Sequence, residues 1–376
     1  MAGAMEVTLY GAADVGVSYV STSINGQTAS QLGMDSGVVD DSMIGFKGTE
    51  KLNKDWTASF NLASEINLYS GELYYPQFFG IESTLGLTRR GWGSITLGRQ
   101  QTISTDFFTA IDPMGLSFGQ SNMGTSFTAI NTQIYNNLIQ FNSSSWAGFQ
   151  FGVGYSFDTG ETAIYAESGS AAPVASDNGF GNNNKMRALT TAIQYQSGPL
   201  LLAASYDKAY PSDTIRVNST SPPLNNPTST SPQAWYFGLA YTVDKVVLSA
   251  AWGRGINGAF SGSGPGNSLS GSPLPSITGQ ADMLFSQGFN QDSYLLGLSW
   301  AVDSRTQVMT SWQMLKPTGQ LANIPGIGTM QILGAAVTYS LSPRTSVYAW
   351  ASYGNNFEMV SGAKASVIGT GIQTVF

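Results

Sequence analysis

Apolar and polar residues alternate along most of this chain with a period of two. In Ser366–Phe376, Ile368, Thr370, Ile372, Thr374 and Phe376 share one parity, and Val367, Gly369, Gly371, Gln373 and Val375 the other. Such a period sends successive side chains to opposite faces of a sheet. In 6–21, Val7, Leu9, Val15, Val17 and Tyr19 oppose Thr8, Tyr10, Asp14 and Ser18. In 55–67, Trp56, Phe60, Leu62 and Ile66 oppose Thr57, Ser59, Asn61 and Glu65. In 291–302, Tyr294, Leu296, Leu298 and Trp300 oppose Gly297 and Ser299. The pattern predicts strands from one end of the chain to the other.

The connections between these strands fall into two classes. Tight turns are expected at 51–54, 89–91, 145–148, 197–199, 244–245, 303–305 and 341–344. Long segments rich in Gly, Ser, Asn, Thr and Pro occupy 22–38, 68–76, 101–133, 159–184, 209–232, 255–290, 316–328 and 355–363. Seven turns alternating with eight loops require sixteen strands, running from 6–21 and 39–50, through 77–88, to 364–376. Short turns on one side and long loops on the other are the mark of a transmembrane β-barrel. A final strand ending on an aromatic, Phe376, and aromatics near strand ends such as Trp92, Trp146, Trp235, Trp300 and Tyr339 suit that reading.

Composition narrows the choice further. Charged residues make up 10% of the chain, against roughly 25% in soluble domains. Aromatics reach 12%, yet mean hydropathy is only -0.03. No apolar run approaches the roughly 20 residues of a spanning helix. Strands that face lipid on one side and water on the other hide their membrane face in such an average. The net charge of -7 argues against nucleic acid. With no Cys there is no disulfide framework, and with no His there is no Ser-His-Asp or Cys-His catalytic set. The expectation is a channel and not an enzyme, with no cofactor. Asp177 and Asp282 on long loops leave Ca²⁺ as a marginal option, without the spacing of a calcium loop. Residues 1–5 read as an expression remnant, and 6–376 as one barrel domain.

Several stretches resemble the trimeric general porins of β-proteobacteria, found in the outer membrane of Gram-negative cells. They are Val7-Thr-Leu-Tyr-Gly-Ala-Ala-Asp14, Ile44-Gly-Phe-Lys-Gly-Thr-Glu50, Ile95-Thr-Leu-Gly-Arg-Gln100, Trp146-Ala-Gly-Phe149 and Tyr339-Ser-Leu-Ser-Pro-Arg-Thr345. They occur in the family's order over the whole chain. The resemblance implies a sixteen-stranded antiparallel barrel, a homotrimer in contact with lipid and lipopolysaccharide, and a third loop folded into the pore. That loop would be 101–133, carrying Asp106 and Asp112.

The departures from the family bear on selectivity. Its members carry arginines on the wall facing the third loop, where this chain has Met43, Ile81 and Gln140. An arginine cluster opposite an acidic loop favours anions. Without it, Asp106, Asp112 and the lumen acids Asp14 and Glu65 stand unopposed except by Lys47. The expected channel prefers neutral solutes and cations. At the fourth strand two arguments conflict: parity puts Glu82 inside, whereas the resemblance puts Ile81 there, and Ile81 is taken as inward. For the trimer contact, Glu72 on the second loop is matched to Arg99 of a neighbour. The alternatives are a substrate-selective porin and, from a different class, a secreted adhesive or structural β protein.

Overall fold

A computed structural model describes residues 6–130, 134–160, 163–165, 171–172, 186–211, 230–260 and 283–376. The strands are β1 (Glu6–Ile24), β2 (Gln27–Ser36), β3 (Met43–Lys51), β4 (Trp56–Glu65), β5 (Glu82–Arg89), β6 (Gly93–Gln101), β7 (Ile134–Ser143) and β8 (Phe149–Ser156). Short strands β9 (Ala163–Tyr165) and β10 (Ala171–Ala172) precede β11 (Arg187–Ser197), β12 (Leu200–Tyr210), β13 (Gln233–Val243) and β14 (Val246–Ile256). Then come β15 (Gly258–Ala259), β16 (Met283–Phe285), β17 (Asn290–Ala301), β18 (Thr306–Thr318), β19 (Met330–Ser340), β20 (Thr345–Asn355) and β21 (Lys364–Val375). One six-residue helix, α1 (Ile103–Phe108), follows β6.

Consecutive long strands pair antiparallel around the molecule, and β21 returns to β1 in the register Ala12↔Val375 to Ser23↔Lys364. Phe376 completes the seam: its N–H donates to Gly11 O (2.9 Å) and its carbonyl accepts from Gly11 N (3.1 Å). β2 and β3 are two halves of one barrel strand, since both pair with β1 on the same side. With that merger the closed sheet is a sixteen-stranded barrel, and closure leaves no edge strand to protect. β9, β10, β15 and β16 form a separate small sheet.

Two expected boundaries are corrected. The first long loop, 22–38, is a hairpin: β1 and β2 pair through Ser23↔Thr28 and Ile24↔Gln27 around Asn25-Gly26. Both turn residues take positive φ, 50° and 80°, as a two-residue primed turn demands and as Asn-Gly supplies most cheaply. The fourth strand begins at Glu82, not near residue 77.

The outer face is apolar. Leu9, Phe46, Leu85, Leu97, Leu296 and Ile368 all stand exposed on it. Trp92, Trp146, Tyr241, Trp300 and Tyr339 ring the short-turn end, also exposed, as an interfacial girdle does. The buried core lies inside the barrel. There the segment after β6 packs Ile103, Phe108, Ile111, Met123, Phe127 and Ile130 against wall residues such as Tyr236, Ala203 and Leu295.

Candidate functional site: the lumen and its inward-folded loop

After Gln101 the chain turns into the barrel. Thr102 caps α1, its side chain accepting from Thr105 N. The loop then crosses the interior to the far wall. Ser104 Oγ donates to Asp207 Oδ2 on β12 (2.5 Å), and Ala129 N donates to the Tyr236 hydroxyl on β13 (3.1 Å). Ser126 Oγ donates to Gln313 Oε1 on β18, and Gln120 Nε2 to Ser352 Oγ on β20, both at 2.7 Å. The wall makes room with glycine. A Cβ at Gly297 would sit 2.2 Å from Pro113 Cγ, and one at Gly238 would sit 2.7 Å from Ile111 Cδ1. Only a residue without a side chain lets the loop lie that close.

The loop thus covers the wall from β8 to β21, and β3 to β7 face the remaining channel. On that bare wall a polar chain runs across neighbouring strands. Lys47 lies over the Tyr10 ring, 4.7 Å from its centroid. The Tyr10 hydroxyl donates to Asn61 Oδ1 (2.6 Å), and Asn61 Nδ2 donates to Glu82 Oε2 (2.6 Å). Thr84 Oγ1 donates to Glu82 Oε1 (2.7 Å). Beside it Asp106 projects from α1, exposed to the lumen and hydrogen-bonded by the Gln140 side chain of β7. Gln140 is buried and its Oε1 has no partner.

Asp106 belongs to the loop, not to a spanning strand. The enclosing walls and the Glu82 carboxylate push its carboxyl up to about 7, and the Gln140 bond pulls it back. Lumen water tempers the first of these effects.

The sequence-derived candidates separate into three groups. Met43, paired with Ala12 and Glu65, lies on the inner face with Lys47 and Gln140. Glu65 shares that face and lies close enough to Asp41 for the charges to interact. The second group is corrected. Ile81 precedes β5 on the parity of the outward Leu85, while Glu82 pairs with Ala63 on the inner face. Parity therefore prevails over the family comparison, and Glu82 is the wall carboxylate that the expected set left out. Asp14 is wholly buried, so it is no free lumen charge. Its carboxylate accepts from Val39 N (2.5 Å), Asp40 N (3.1 Å) and the Tyr348 hydroxyl (2.5 Å). Asp112 is also buried, accepting from the backbone N–H groups of Met114, Leu116 and Met123 at 2.8–3.2 Å. It shapes the loop from within.

The third group is the expected subunit contact. Glu72 is exposed on the second loop. Arg99 is already engaged within its own chain, donating to Gly80 O (2.6 Å) and Asn136 Oδ1 (2.7 Å) beneath the Tyr75 ring. Residues 1–5, Asp177, Lys185 and Asp282 lie outside the described residues.

Cations are scarce inside. Among the described residues, Lys47 stands at mid-strand on the inner face, and Lys51, on the same parity, at the mouth beside a turn. Arg187, Lys208, Arg254, Lys316 and Lys364 lie on outward parities at the long-loop end, alongside exposed Trp235 and Tyr353.

A closed barrel, apolar outside and polar within, with a loop narrowing its lumen, has the build of a membrane channel. The family model for Gram-negative porins matches residues 1–357, and the chain belongs to that family of outer-membrane proteins. It is 34% identical to an outer membrane porin protein of Bordetella pertussis over 388 residues, covering 99% of this chain and 94% of that one. It is 33% identical over 172 residues to outer membrane porin protein 32 of Delftia acidovorans, covering 43% and 47%. The anion-selective porin from Comamonas acidovorans superposes with a TM-score of 0.70 at 19% identity, covering 99% of this chain and 100% of that one. The trimer form of OmpT from Vibrio cholerae superposes at 0.59 with 13% identity, covering 100% of each chain. These two likenesses establish the fold alone.

Proposed function

We propose that this porin is a passive diffusion channel for small hydrophilic solutes that favours cations and neutral molecules. The observation that carries the reading is the charge of the lumen wall. Asp106, Glu82 and Glu65 line it, and Lys47 is the described cation at mid-strand among them. Rings of carboxylate favour cations in a water-filled pore, and no arginine stands at Met43 or Gln140 to reverse the field. The test is planar-bilayer conductance under a KCl gradient. A reversal potential of cation sign is expected, and one of anion sign overturns the reading.

The functional unit in this reading is a homotrimer in outer-membrane lipid. The OmpT trimer supports it by fold, and conductance steps that close in thirds would check it. Glu72 remains the candidate for gripping a neighbour, and Glu72→Gln should lower the heat resistance of the trimer. The outward cations Arg187, Lys208, Arg254, Lys316 and Lys364 suit the phosphates of lipopolysaccharide, which occupy the leaflet at that end.

A second reading, selectivity for small organic solutes, rests on a recess beneath the loop. Its volume is about 410 Å³, and it is lined by apolar Pro113, Met114, Phe118 and Met309 together with polar Ser249, Ser299, Gln307 and Thr338. Concentration-dependent current noise with an uncharged solute such as a disaccharide would support this reading, and its absence would sink it.

A further inference from the structure

The barrel strand made of β2 and β3 is interrupted. Val15 pairs with Ser36 and Ala12 with Met43, so residues 37–42 lie opposite only Ala13 and Asp14. Six residues against two form an exaggerated bulge, and bulges bend a strand and re-aim its groups. Asp14 holds this one together. Its carboxylate takes the N–H groups of Val39 and Asp40, and its carbonyl takes Gly37 N (3.1 Å) and Ser42 Oγ (2.7 Å). Its own N–H donates to Ser42 Oγ (3.0 Å). Behind it, the Tyr348 hydroxyl donates to the other carboxylate oxygen.

With the N–H groups of Gly37, Val39 and Asp40 turned to Asp14, the bulge offers carbonyls to the tip of the inward loop. Phe118 N donates to Val38 O (2.8 Å), and Ser117 Oγ donates to Val39 O (2.6 Å). The tip needs holding. Leu116 and Phe118 both have φ of 63°, a left-handed conformation that non-glycine residues adopt at a cost. The Phe118 ring is buried edge-on to Tyr348, with 6.1 Å between centroids. Tyr348 thus touches both the organiser and the thing organised.

We propose that Asp14 is a positioning residue for the pore aperture: through the bulge 37–42 it clasps the loop tip and fixes the free width of the lumen, without itself meeting the solute. The bulge is held because a buried carboxylate accepting two N–H groups and a hydroxyl is costly to leave unpaired. The clasp lies in the middle of the loop, at Ser117 and Phe118, just before Gln120 and Ser121 bond to β20 and β18.

The proposal rests on the channel reading, and wild-type protein in the same bilayer keeps the two apart. If wild type forms no pores, the channel reading fails; if it conducts and the variants match it, the clasp fails. The experiment compares Asp14→Ala, Ser117→Ala and Tyr348→Phe, using barrels that keep wild-type heat-modifiable mobility. The readouts are single-channel conductance and the size at which graded uncharged polyethylene glycols stop entering. Asp14→Ala should conduct more and admit polymers that wild type excludes. Asp14→Asn, which keeps one acceptor oxygen, should restore part of the exclusion. Ser117→Ala and Tyr348→Phe each remove one hydrogen bond and should shift the limit in the same direction by less. If both of these fold and keep the wild-type limit, the proposal is overturned, whether or not Asp14→Ala folds.

Discussion

The sharpest test of the lumen assignment is Glu82→Gln set against Ile81→Gln. Glu82 is held at the wall by Asn61 and Thr84, and glutamine keeps its length and an acceptor, so charge is the main change. A monovalent ion passing about 5 Å from that carboxylate in water gains or loses about 0.8 kcal/mol. Screening over a Debye length of about 10 Å at 0.1 M salt reduces this to about 0.5 kcal/mol. Cation and anion feel opposite signs, so their difference is about 1 kcal/mol, or about fivefold in permeability ratio. Replacing Glu82 should therefore lower the cation-to-anion permeability ratio by about that factor. The assay is the reversal potential of single channels under a tenfold KCl gradient. Ile81→Gln, on the outward parity, should leave the potential where it was. An unmoved potential in Glu82→Gln, or a shift confined to Ile81→Gln, would refute the parity argument and return Ile81 to the lumen.

Other outcomes follow from the same wall and loop. Cation preference should weaken as pH falls through about 7, because the raised Asp106 carboxyl is ionised above that value and takes up a proton below it; Asp106→Asn should flatten that part of the pH profile. Lys47→Ala should strengthen cation preference at neutral pH, read as a larger reversal potential of the same sign. Gly297→Val should force Pro113 off the wall, since a Cβ there would lie 2.2 Å from its ring. Overpacking of that kind costs about 1–3 kcal/mol, so this variant should show a lower unfolding midpoint and altered conductance in a barrel that still closes.

Much of the barrel was legible because one rule, a period of two, repeats around it. Lipid outside and water inside write the two faces directly into residue type, as Leu85 and Thr84 or Leu97 and Thr96 illustrate. The hairpin at Asn25-Gly26 carried its own turn signal, but the polar residues around it resembled loop. Parity alone places Glu82 inside, whereas the family resemblance points to Ile81. Asp14 and Asp112 were not readable as structural acids. Their partners are backbone N–H groups brought near by the fold, 25 residues away for Asp14–Val39 and 11 for Asp112–Met123. The loop itself had an overlooked signal. Ile103, Phe107, Phe108, Ile111 and Met114 recur at intervals of three and four, which is a buried face and not a solvated acidic strap.

The packing of that loop has a consequence for how the channel is born. Ser104 meets Asp207 across 103 residues of chain, and Gln120 meets Ser352 across 232. Those partners come together only when the later strands are in place, and contacts so distant in sequence form slowly. Until the later strands arrive, the loop has only β8, beneath Ile103, and the bulge 37–42, beneath Ser117 and Phe118, to rest on. Much of the loop's footing is thus laid late, so the calibre of a nascent barrel settles only as its own plug of side chains meets those later strands.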